Sequence, residues 1–313
     1  MRVWTVSEPK AGTLTQCLGI AKHLDTTPHS IMVDSKLPRW RIRLASPYRS
    51  LDDAAPDAII SCGRMAERHV LSLAHRFRTK RPLLVHLQTP NRGTARHFDR
   101  VFVSRHDWKS EMGGDQRYRP MTGVPHRVDH VALAERRTDA REKLGIAERK
   151  CLTVLIGGTN PAYAFDDRTI TALLEVIVKH ESEGWKIAVT TSRRSEPRLL
   201  DALVRRQSAN VLVWDRMGEN PFLDYLAAAD SFVVTKDTVT MHCEALASGR
   251  PVYSFDLAHK PGSTLEKFER FHRDMSETLQ LTRPYRGEIA PYSYTPPNES
   301  MRIAGLIRDA VGR

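Results

Sequence analysis

Short continuous runs of apolar residues alternate with apolar positions at helical spacing throughout the first half of the chain. The continuous runs predict buried strands over residues 2–7, 58–61, 83–87 and 100–104. The helical spacing predicts helices over residues 13–24 and 65–77. Strands that alternate with helices in this way indicate a parallel sheet covered by helices.

The alternation resumes at residue 151, after a highly charged stretch over residues 127–147 that predicts a linker with one short helix at 139–144. Predicted strands then cover residues 151–156, 185–190, 211–214, 231–234 and 252–255, and predicted helices cover residues 169–183, 221–229 and 241–248. A segment rich in Pro and Tyr, 282–297, predicts irregular structure, and the apolar spacing over residues 299–311 predicts a last amphipathic helix.

Two such runs predict an α/β protein with two Rossmann-like domains that face a cleft. The expected N-terminal domain covers residues 1–135, and the expected C-terminal domain covers residues 145–285. Ligands of such sheets bind beyond the carboxyl ends of the strands. The polar clusters that follow the predicted strands are therefore the candidate sites.

Composition narrows the class of protein. The 313 residues are 41% hydrophobic and 27% charged, which is typical of a globular chain and long enough for two domains. The sequence contains no apolar run long enough for a transmembrane helix, and its N-terminus lacks the apolar stretch of a signal peptide. The four cysteines are scattered singly and form no CxxC pair, so the sequence indicates neither a zinc ribbon nor a disulfide framework. These features predict a cytoplasmic protein.

The positive charge is concentrated in one half. Residues 1–150 carry 28 Lys and Arg against 16 Asp and Glu, whereas the remaining residues carry 20 against 21. This asymmetry predicts that the first half faces an anionic partner, such as a phosphorylated lipid or the inner face of a membrane, which it would contact peripherally. The alternative is arginine-rich composition dispersed over a solvated surface. Few aromatic residues are interleaved for base stacking, so nucleic acid is not an expected partner.

Two clusters after strands of the second half carry groups that bind phosphate. Gly157, Gly158 and Thr159 follow the first of these strands; their amides can hold a phosphate, or the glycines can simply form a tight turn. Thr191, Ser192, Arg193 and Arg194 follow the next strand. The arginine forks match phosphate oxygens, and the alternative is a helix cap provided by Ser192 or Ser195.

A third cluster ends the strand at 231–234 and leads into a helix. It comprises Thr235, Asp237, Thr238, Thr240 and Met241. The helix N-terminus can hold a phosphate, and Glu244 one turn further can accept hydrogen bonds from both hydroxyls of a ribose. The alternative makes Thr238 or Thr240 a helix cap. Trp214 with Glu219 and Asn220 can form a wall for a base, or Trp214 is a core residue and Asn220 starts a helix.

These motifs, in this order along nearly the whole chain, resemble the plant mitochondrial-fission (elongated mitochondria) family and its bacterial relatives. The N-terminal half agrees through Gly12 with Gln16, the runs 61–64, 86–90, 104–107 and 123–126, and the tail agrees through 291–294. One position departs from the expected pattern, because Lys236 stands where a small residue is expected.

The resemblance implies the GT-B glycosyltransferase fold. It implies a donor nucleotide sugar in the C-terminal domain, an acceptor in the N-terminal domain and a last helix, 299–311, that packs back onto the N-terminal domain. Such enzymes need neither a metal nor a further cofactor, and no DxD metal motif is present. The expected acceptor-side residues are Gly12, Gln16, Gly63, Arg64, Gln88 and His126. Arg105, His106 and Asp107 are the expected catalytic group, with His106 or Asp107 as the base that takes the acceptor proton.

Three functions follow from these features. The first is an inverting, metal-independent glycosyltransferase that acts on an anionic or lipid-linked acceptor of the cell envelope. The second is a nucleotide-sugar epimerase on the same scaffold, which needs no basic acceptor face. The third is a non-catalytic adaptor in membrane or organelle fission, which predicts loss of the pocket residues; these residues are present.

Overall fold

The computed structural model describes residues 1–33, 54–77 and 80–312, and the chain forms two compact units. The first unit contains Met1–Arg127 together with Asn298–Arg313, and the second contains Val128–Pro297. Each unit is built on a six-stranded sheet in which all neighbouring strands are parallel. The predicted α/β class is therefore confirmed.

The first unit places its sheet in the order β2-β1-β3-β4-β5-β6. The strands are β1 (Val3–Ser7), β2 (His29–Met32), β3 (Ala58–Cys62), β4 (Leu83–Leu87), β5 (Arg100–Ser104) and β6 (Tyr118–Met121). Among the described residues that precede the second unit, the helices are α1 (Ala11–Ala21), α2 (Arg64–Ala74) and α3 (Arg92–Ala95). Successive side chains of β3 enter different cores, Ile59 on one face of the sheet and Ile60 on the other. Burial on both faces explains why these strands are continuous apolar runs.

The second unit has the order β10-β9-β7-β11-β12-β14. Its strands are β7 (Cys151–Ile156), β8 (Tyr163–Ala164), β9 (Lys186–Thr191), β10 (Val211–Val213), β11 (Ser231–Thr235), β12 (Val252–Phe255), β13 (Ala258–His259) and β14 (Arg283–Pro284). Its helices are α4 (His130–Lys143), α5 (Asp167–Ser182), α6 (Pro197–Val204), α7 (Phe222–Ala228), α8 (Val239–Leu246) and α9 (Ser263–Arg273). The chain reverses its direction across the sheet between β7 and β11, which is the topological switch point where such sheets bind ligands.

The last helix, α10 (Glu299–Val311), packs within the first unit. Asn298 caps it by accepting a hydrogen bond from the Met301 amide at 3.0 Å. Ile303 and Ile307 are fully buried in the cluster that contains Ile20 of α1. The apolar stripe of α10 thus completes one of the two cores that flank the first sheet.

The segment predicted as a linker is instead a regular helix of the second unit. Helix α4 begins after Asp129, whose carboxylate accepts hydrogen bonds from the first-turn amides, and buries little more than Leu133 and Ala140. It is held to α7 by charge: Arg136 and Lys143 both pair with Asp224, at 2.5 and 2.8 Å. The linker prediction was wrong because a helix attached through ion pairs shows no apolar stripe in the sequence.

Several short elements were not predicted, namely β2, β6, α3, α6, α9 and the two-residue strands. Strand β6 contains Pro120, which removes an amide from the ladder and is tolerated because β6 lies at the edge of the sheet. Strand β2 is also an edge strand and buries only Ile31. Elements that bury so few residues leave little pattern in the sequence. None of the helices described is both long enough and apolar enough to cross a lipid bilayer.

Candidate functional site

A buried carboxylate lies at the switch point of the second sheet. Asp237, 2% exposed, follows β11 and accepts hydrogen bonds from the Gly158 amide at 2.6 Å and from the Thr235 hydroxyl at 2.6 Å. The Gly157 amide in turn donates to the Thr235 hydroxyl at 2.9 Å. Burial raises the pKa of the Asp237 carboxyl to about 6, although these hydrogen bonds oppose the rise. The two glycine amides are therefore engaged within the protein.

The glycines after β7 are required by close packing against protein groups. A Cβ on Gly157 would lie 1.9 Å from the Asp237 carboxylate, and a Cβ on Gly158 would lie 2.3 Å from the Arg194 backbone. Thr159, the third member of the predicted motif, donates its hydroxyl to Glu196 at 2.7 Å. This geometry favours the tight turn over a direct phosphate cradle.

The loop after β9 is organised by an arginine that the sequence did not single out. Arg216, at a left-handed φ of 72°, donates to the Thr191 hydroxyl at 3.2 Å and to the carbonyl of Ser192 at 2.7 Å. Neither Ser192 nor Ser195 caps a helix, because α6 begins at Pro197 with Glu196 as its N-cap residue. The capping alternative was thus wrong for this loop, and a positive φ at a non-glycine residue leaves no signal in the sequence.

The two arginines of this loop differ in their partners. Arg194 lies 3.5 Å from the Asp237 carboxylate and donates to the Gly158 carbonyl at 3.4 Å. Arg193 is exposed, and no residue within 1–33, 54–77 or 80–312 forms an ion pair or hydrogen bond with its side chain. Arg193 is thus the guanidinium of this loop that remains available to an anion.

The loop after β10 forms a tight turn. The Trp214 indole donates to the Met217 carbonyl at 3.1 Å, and Trp214 stays half-buried. Asn220 accepts a hydrogen bond from the Phe222 amide at 3.0 Å and lies directly before Pro221, the N-cap residue of α7, and Glu219 is exposed. Trp214 keeps an accessible face at the carboxyl edge of the sheet.

Helix α8 presents one polar, half-exposed face. Thr238 caps the helix by accepting a hydrogen bond from the Met241 amide at 3.3 Å, which confirms the capping interpretation for this residue. Thr240, Met241 and Glu244 are half-exposed, whereas the residues between them and after them are buried. Thr240 and Glu244 are four positions apart and therefore share a face of the helix.

Glu244 is the most perturbed carboxyl of this edge. In the described part of the chain no group donates a hydrogen bond to it and no cation pairs with it. The surrounding protein displaces water from the carboxylate, and this desolvation raises the pKa of Glu244 to about 8. A partly accessible acid without a protein partner is a typical ligand-binding group.

Lys236 belongs to a separate cluster of charges after β11 and β12. Its ammonium lies 3.2 Å from Asp256 and 3.4 Å from Glu269, and His259 lies 3.0 Å from Asp256. Asp256, His259 and Glu269 bring ligand atoms within 4.8 Å of one another, which is close enough for a metal ion. Lys236 already supplies a positive charge to these carboxylates, which explains why a long basic side chain stands in this loop.

In the first unit, as at Asp237 in the second, a carboxylate packs against a glycine that follows a strand. Glu8, directly after β1, accepts a hydrogen bond from the Met65 amide at 3.1 Å and pairs with Lys10 at 2.7 Å. Burial raises the pKa of Glu8, but the hydrogen bonds and the charge of Lys10 together lower it by more than burial raises it. The net shift of this pKa is therefore downward. Gly63 has a left-handed φ of 93°, and a Cβ there would lie 2.6 Å from the Glu8 carboxyl. Glu8 was not predicted, although it follows the first strand directly.

Two of the predicted acceptor-side residues, Gln16 and Gln88, contact each other in the structure. The Gln16 side-chain carbonyl accepts from the Gln88 amide at 3.5 Å and from the Cys62 thiol at 3.5 Å. Gln88 has a left-handed φ of 78°, which marks a constrained backbone after β4. Gly12 is half-exposed and Arg64 is exposed. The structure thus joins Gln16 and Gln88, which lie far apart in the sequence.

The predicted catalytic group forms one turn of 3-10 helix, Arg105–Asp107, directly after β5. His106 is buried, and its Nε2 lies 3.8 Å from the Asp107 carboxylate, whereas Arg105 is exposed. His126 is buried as well, and its backbone exchanges two hydrogen bonds with Ser300 of α10 at 3.1 and 2.8 Å. Of this group, Asp107 and Arg105 are the more accessible side chains.

A buried network supports the loop after β4. Glu67 of α2 is fully buried and accepts hydrogen bonds from the Asn91 backbone and side-chain amides at 3.1 and 3.0 Å. The Nε2 atom of His86 lies 3.9 Å from the Glu67 carboxylate, and its Nδ1 atom lies 2.8 Å from the Ser61 hydroxyl. Burial lowers the pKa of His86 to about 3. Burial therefore favours the neutral form of the His86 imidazole in this network.

Residues 11–311 match the family model described as mitochondrial fission ELM1. The chain belongs to this family. Its Arabidopsis thaliana member, mitochondrial fission protein ELM1, is 24% identical over 81% of this chain and 63% of its own length. An uncharacterized Rickettsia prowazekii protein, RP120, is 21% identical over 99% of both chains. The family resemblance inferred from the sequence is confirmed.

The family fold is also that of enzymes on the GT-B scaffold. An N-acetylglucosamine transferase of Acetivibrio thermocellus, which acts on a pyrophosphoryl-undecaprenol substrate by its name, is 27% identical over 66% of this chain and 55% of its own length. The UDP-GlcNAc 2-epimerase of Methanocaldococcus jannaschii superposes with a TM-score of 0.58 at 13% identity, covering 99% of this chain and 100% of that one. MurG of Acinetobacter baumannii superposes with a TM-score of 0.55 at 10% identity and the same coverage.

Proposed function

We propose that this protein transfers a sugar from a nucleotide-sugar donor to an anionic or lipid-linked acceptor, and that the second unit binds the donor. Two of the relatives with named activities, the transferase of Acetivibrio thermocellus and the epimerase of Methanocaldococcus jannaschii, use UDP-linked sugars by their names. The switch point of the second sheet, where such sheets bind nucleotides, carries the groups that a nucleotide needs.

Glu244 is the observation that carries the proposal. It is a half-exposed carboxyl without a protein partner, and it lies on the same face of α8 as Thr240. The two hydroxyls of a ribose would supply the hydrogen bonds that Glu244 lacks. A residue with only a structural role would be expected to pair with a donor in the fold, as Asp237 and Glu8 do.

The diphosphate would lie at the N-terminus of α8, with Arg193 on its oxygens. The first-turn amides of α8 that Thr238 does not cap have no acceptor within the helix, and the helix dipole favours an anion there. The amides of Gly157 and Gly158 are occupied by Thr235 and Asp237, so the glycine turn would shape this edge rather than contact the phosphate. Charge on the departing diphosphate would be stabilised by Arg193 and the helix N-terminus without a metal ion.

The acceptor would bind to the first unit, in the half with excess positive charge. Its hydroxyl oxygen would attack the anomeric carbon while the bond from that carbon to the phosphate oxygen breaks, which inverts the configuration. The hydroxyl proton would pass to a base of the turn 105–107, and Asp107 is more accessible than His106. Gln16 and Gln88 would orient the acceptor through their amide groups.

A nucleotide-binding experiment tests the proposal. A thermal-shift screen of nucleotides and nucleotide sugars identifies the best ligand, because a ligand that binds only the folded state raises its stability. Calorimetry then compares wild type with Glu244→Gln and Arg193→Gln, and Glu175→Gln on the exposed side of α5 serves as the control. We expect both site variants to bind at least tenfold more weakly, while the control binds as wild type does.

The products distinguish the enzyme from its alternatives. Incubation with the best nucleotide sugar and a mixture of lipid-linked and anionic acceptors should release nucleoside diphosphate only when an acceptor is present. Conversion of the sugar to an epimer would show the epimerase instead. Failure of every nucleotide to bind the folded protein would leave the adaptor function and refute the transferase.

A further inference from the structure

A basic cavity of about 790 Å³ lies in the first unit, away from the candidate acceptor residues. It is lined by the end of α2 and by residues at the start of β4, β5 and β6. In a parallel sheet these starts lie at the edge opposite to the segments that directly follow the strands, where Gln88 and Arg105 are located. The volume is within the range of small-ligand sites.

Positive charge dominates the walls of this cavity. The lining contains one carboxylate, Asp99, and four arginines: Arg81, Arg96, Arg100 and Arg117. Arg81 pairs with Asp99 at 2.8 Å, and Arg117 pairs with the nearby Asp115. Two of the four guanidinium groups are thus compensated by carboxylates of the protein itself.

The other two arginines are not compensated. Arg100 donates to the carbonyl of Asp99 at 2.8 Å, and Arg96 contacts the His97 ring at 3.3 Å. Neither forms an ion pair with any carboxylate in the described ranges 1–33, 54–77 and 80–312. Two guanidinium groups beside one cavity, without a carboxylate for either, repel each other and favour an anionic ligand.

The floor of the cavity is apolar. Leu71, Ala74 and Phe77 come from α2 and the turn after it, Leu84 from β4, and Phe98 from the turn before β5. Phe77, Leu84 and Phe98 belong to the core under this face of the sheet. A ligand that fills the cavity would therefore meet cationic forks at the wall and hydrocarbon at the floor.

We propose that this cavity binds a phosphate group carried on an apolar moiety, with Arg96 and Arg100 on the phosphate oxygens. Guanidinium forks match the geometry of phosphate, and the half-exposed side chains of Leu71 and Ala74 at the floor offer hydrocarbon next to it. A phospholipid headgroup at a membrane surface and a water-soluble phosphate ester both have this chemistry. The inference does not depend on the transfer reaction, since it concerns the opposite edge of the sheet.

The test measures binding without any nucleotide. Vesicles of phosphatidylcholine with and without phosphatidylglycerol probe the membrane source, and inorganic phosphate with a short-chain, water-soluble phosphatidylglycerol probes the soluble source. The variant is the double substitution Arg96→Gln with Arg100→Gln. The control is Lys22→Gln with Arg68→Gln, which removes the same charge from exposed positions of the same unit outside the cavity.

We expect the cavity variant to lose roughly tenfold or more in affinity for anionic vesicles, and the control to lose clearly less. A second outcome is that the cavity variant alone loses affinity for the soluble short-chain lipid while its affinity for vesicles is unchanged. That result supports the same site with a soluble ligand. Arg96→Lys with Arg100→Lys should keep part of the binding, because the charge remains while the fork is lost.

Equal weakening by the cavity and control variants would overturn the proposal, because the basic half would then act as dispersed charge. Absence of binding by every phosphate probe would overturn it as well. Inorganic phosphate that binds as tightly as the short-chain lipid would refute the role of the apolar floor. Thermal unfolding of each variant is compared with wild type, so that loss of binding is not confused with loss of the fold.

Discussion

Glu244→Gln is expected to stabilise the folded protein while weakening its binding of nucleotide. The substitution keeps the size of the side chain and removes only its ability to ionise. In the fold, desolvation raises the pKa of Glu244 to about 8, from 4.5 for an unperturbed glutamate. At neutral pH the folded state therefore keeps a proton that the unfolded chain has already released.

The sign and size follow from the linkage between protons and folding. A raised pKa means that stability is greatest below the unfolded value and is lost as the pH rises from 4.5 through 8. The full shift corresponds to about 3 kcal/mol at pH 7. Because the carboxyl is half-exposed and water screens it, we expect about 1–2 kcal/mol. Glutamine does not ionise, so the variant should recover this free energy of unfolding.

The assay is urea unfolding of wild type and Glu244→Gln at pH 5, 7 and 9, with Glu175→Gln as the control. The two proteins should be nearly equal at pH 5, and the variant should be more stable at pH 7 and above. Nucleotide affinity of wild type should rise with pH up to about 8, because the ionised carboxylate accepts both ribose hydroxyls, and the variant should lack this dependence.

Two results would refute this reasoning. A variant that is less stable than wild type at pH 7 would mean that the carboxylate has a structural partner and is not a desolvated, unpaired acid. A variant that gains stability but binds nucleotide as tightly as wild type would remove Glu244 from the ligand site. The combination of higher stability and weaker binding is the expected signature of a residue retained for function.

Four other predictions concern the fold. Gly157→Ala should lower the free energy of unfolding by more than about 2 kcal/mol, because its Cβ would lie 1.9 Å from a buried carboxylate. Gly305→Ala in α10, with open space around its Cβ, should raise it by about 0.5–1 kcal/mol in the same urea titration. Ile303→Ala should cost about 2–5 kcal/mol, and Met301→Ala on the exposed face of α10 should change stability by less than about 0.5 kcal/mol. Because burial lowers the pKa of His86 to about 3, below its unfolded value of 6.5, the contribution of His86 to stability should fall by about 2 kcal/mol between pH 7 and pH 5, opposite in sign to that of Glu244. A His86→Gln variant with the same acid slope as wild type would contradict this last prediction.

The sequence alone determined the fold class, the central strands and the family. Strands β4, β5, β7 and β12 lie at their predicted bounds, since a strand buried on both faces must be a continuous apolar run. Helix α10 also lies at its predicted bounds, because a helix buried on one face repeats apolar residues at helical spacing. These patterns are local, so a single sequence is enough to recognise them.

The partner of each polar group is set by contacts that form when the chain folds. Gly157 and Gly158 are far from Thr235 and Asp237 in the sequence. The pairing of strands β7 and β11 brings the Thr235 hydroxyl to the Gly157 amide and the Asp237 carboxylate to the Gly158 amide. The same holds for Glu8 and Gly63, which meet because β1 pairs with β3. A glycine turn that is typical of phosphate binding can equally receive a carboxylate of its own chain, and the spacing of residues does not distinguish the two.

Helix α4 and Glu244 are two further cases in which the sequence does not reveal the partners of a charged side chain. The charges of α4 predicted a solvated linker, but Asp224 and Asp230, about ninety positions later, convert them into contacts that hold a helix. Glu244 was predicted as a ribose ligand from its position in the helix, while its lack of a partner and its raised pKa depend on the groups packed around it. Hydrogen bonds and desolvation are set by neighbours in space, and a linear sequence specifies these only after the chain has folded.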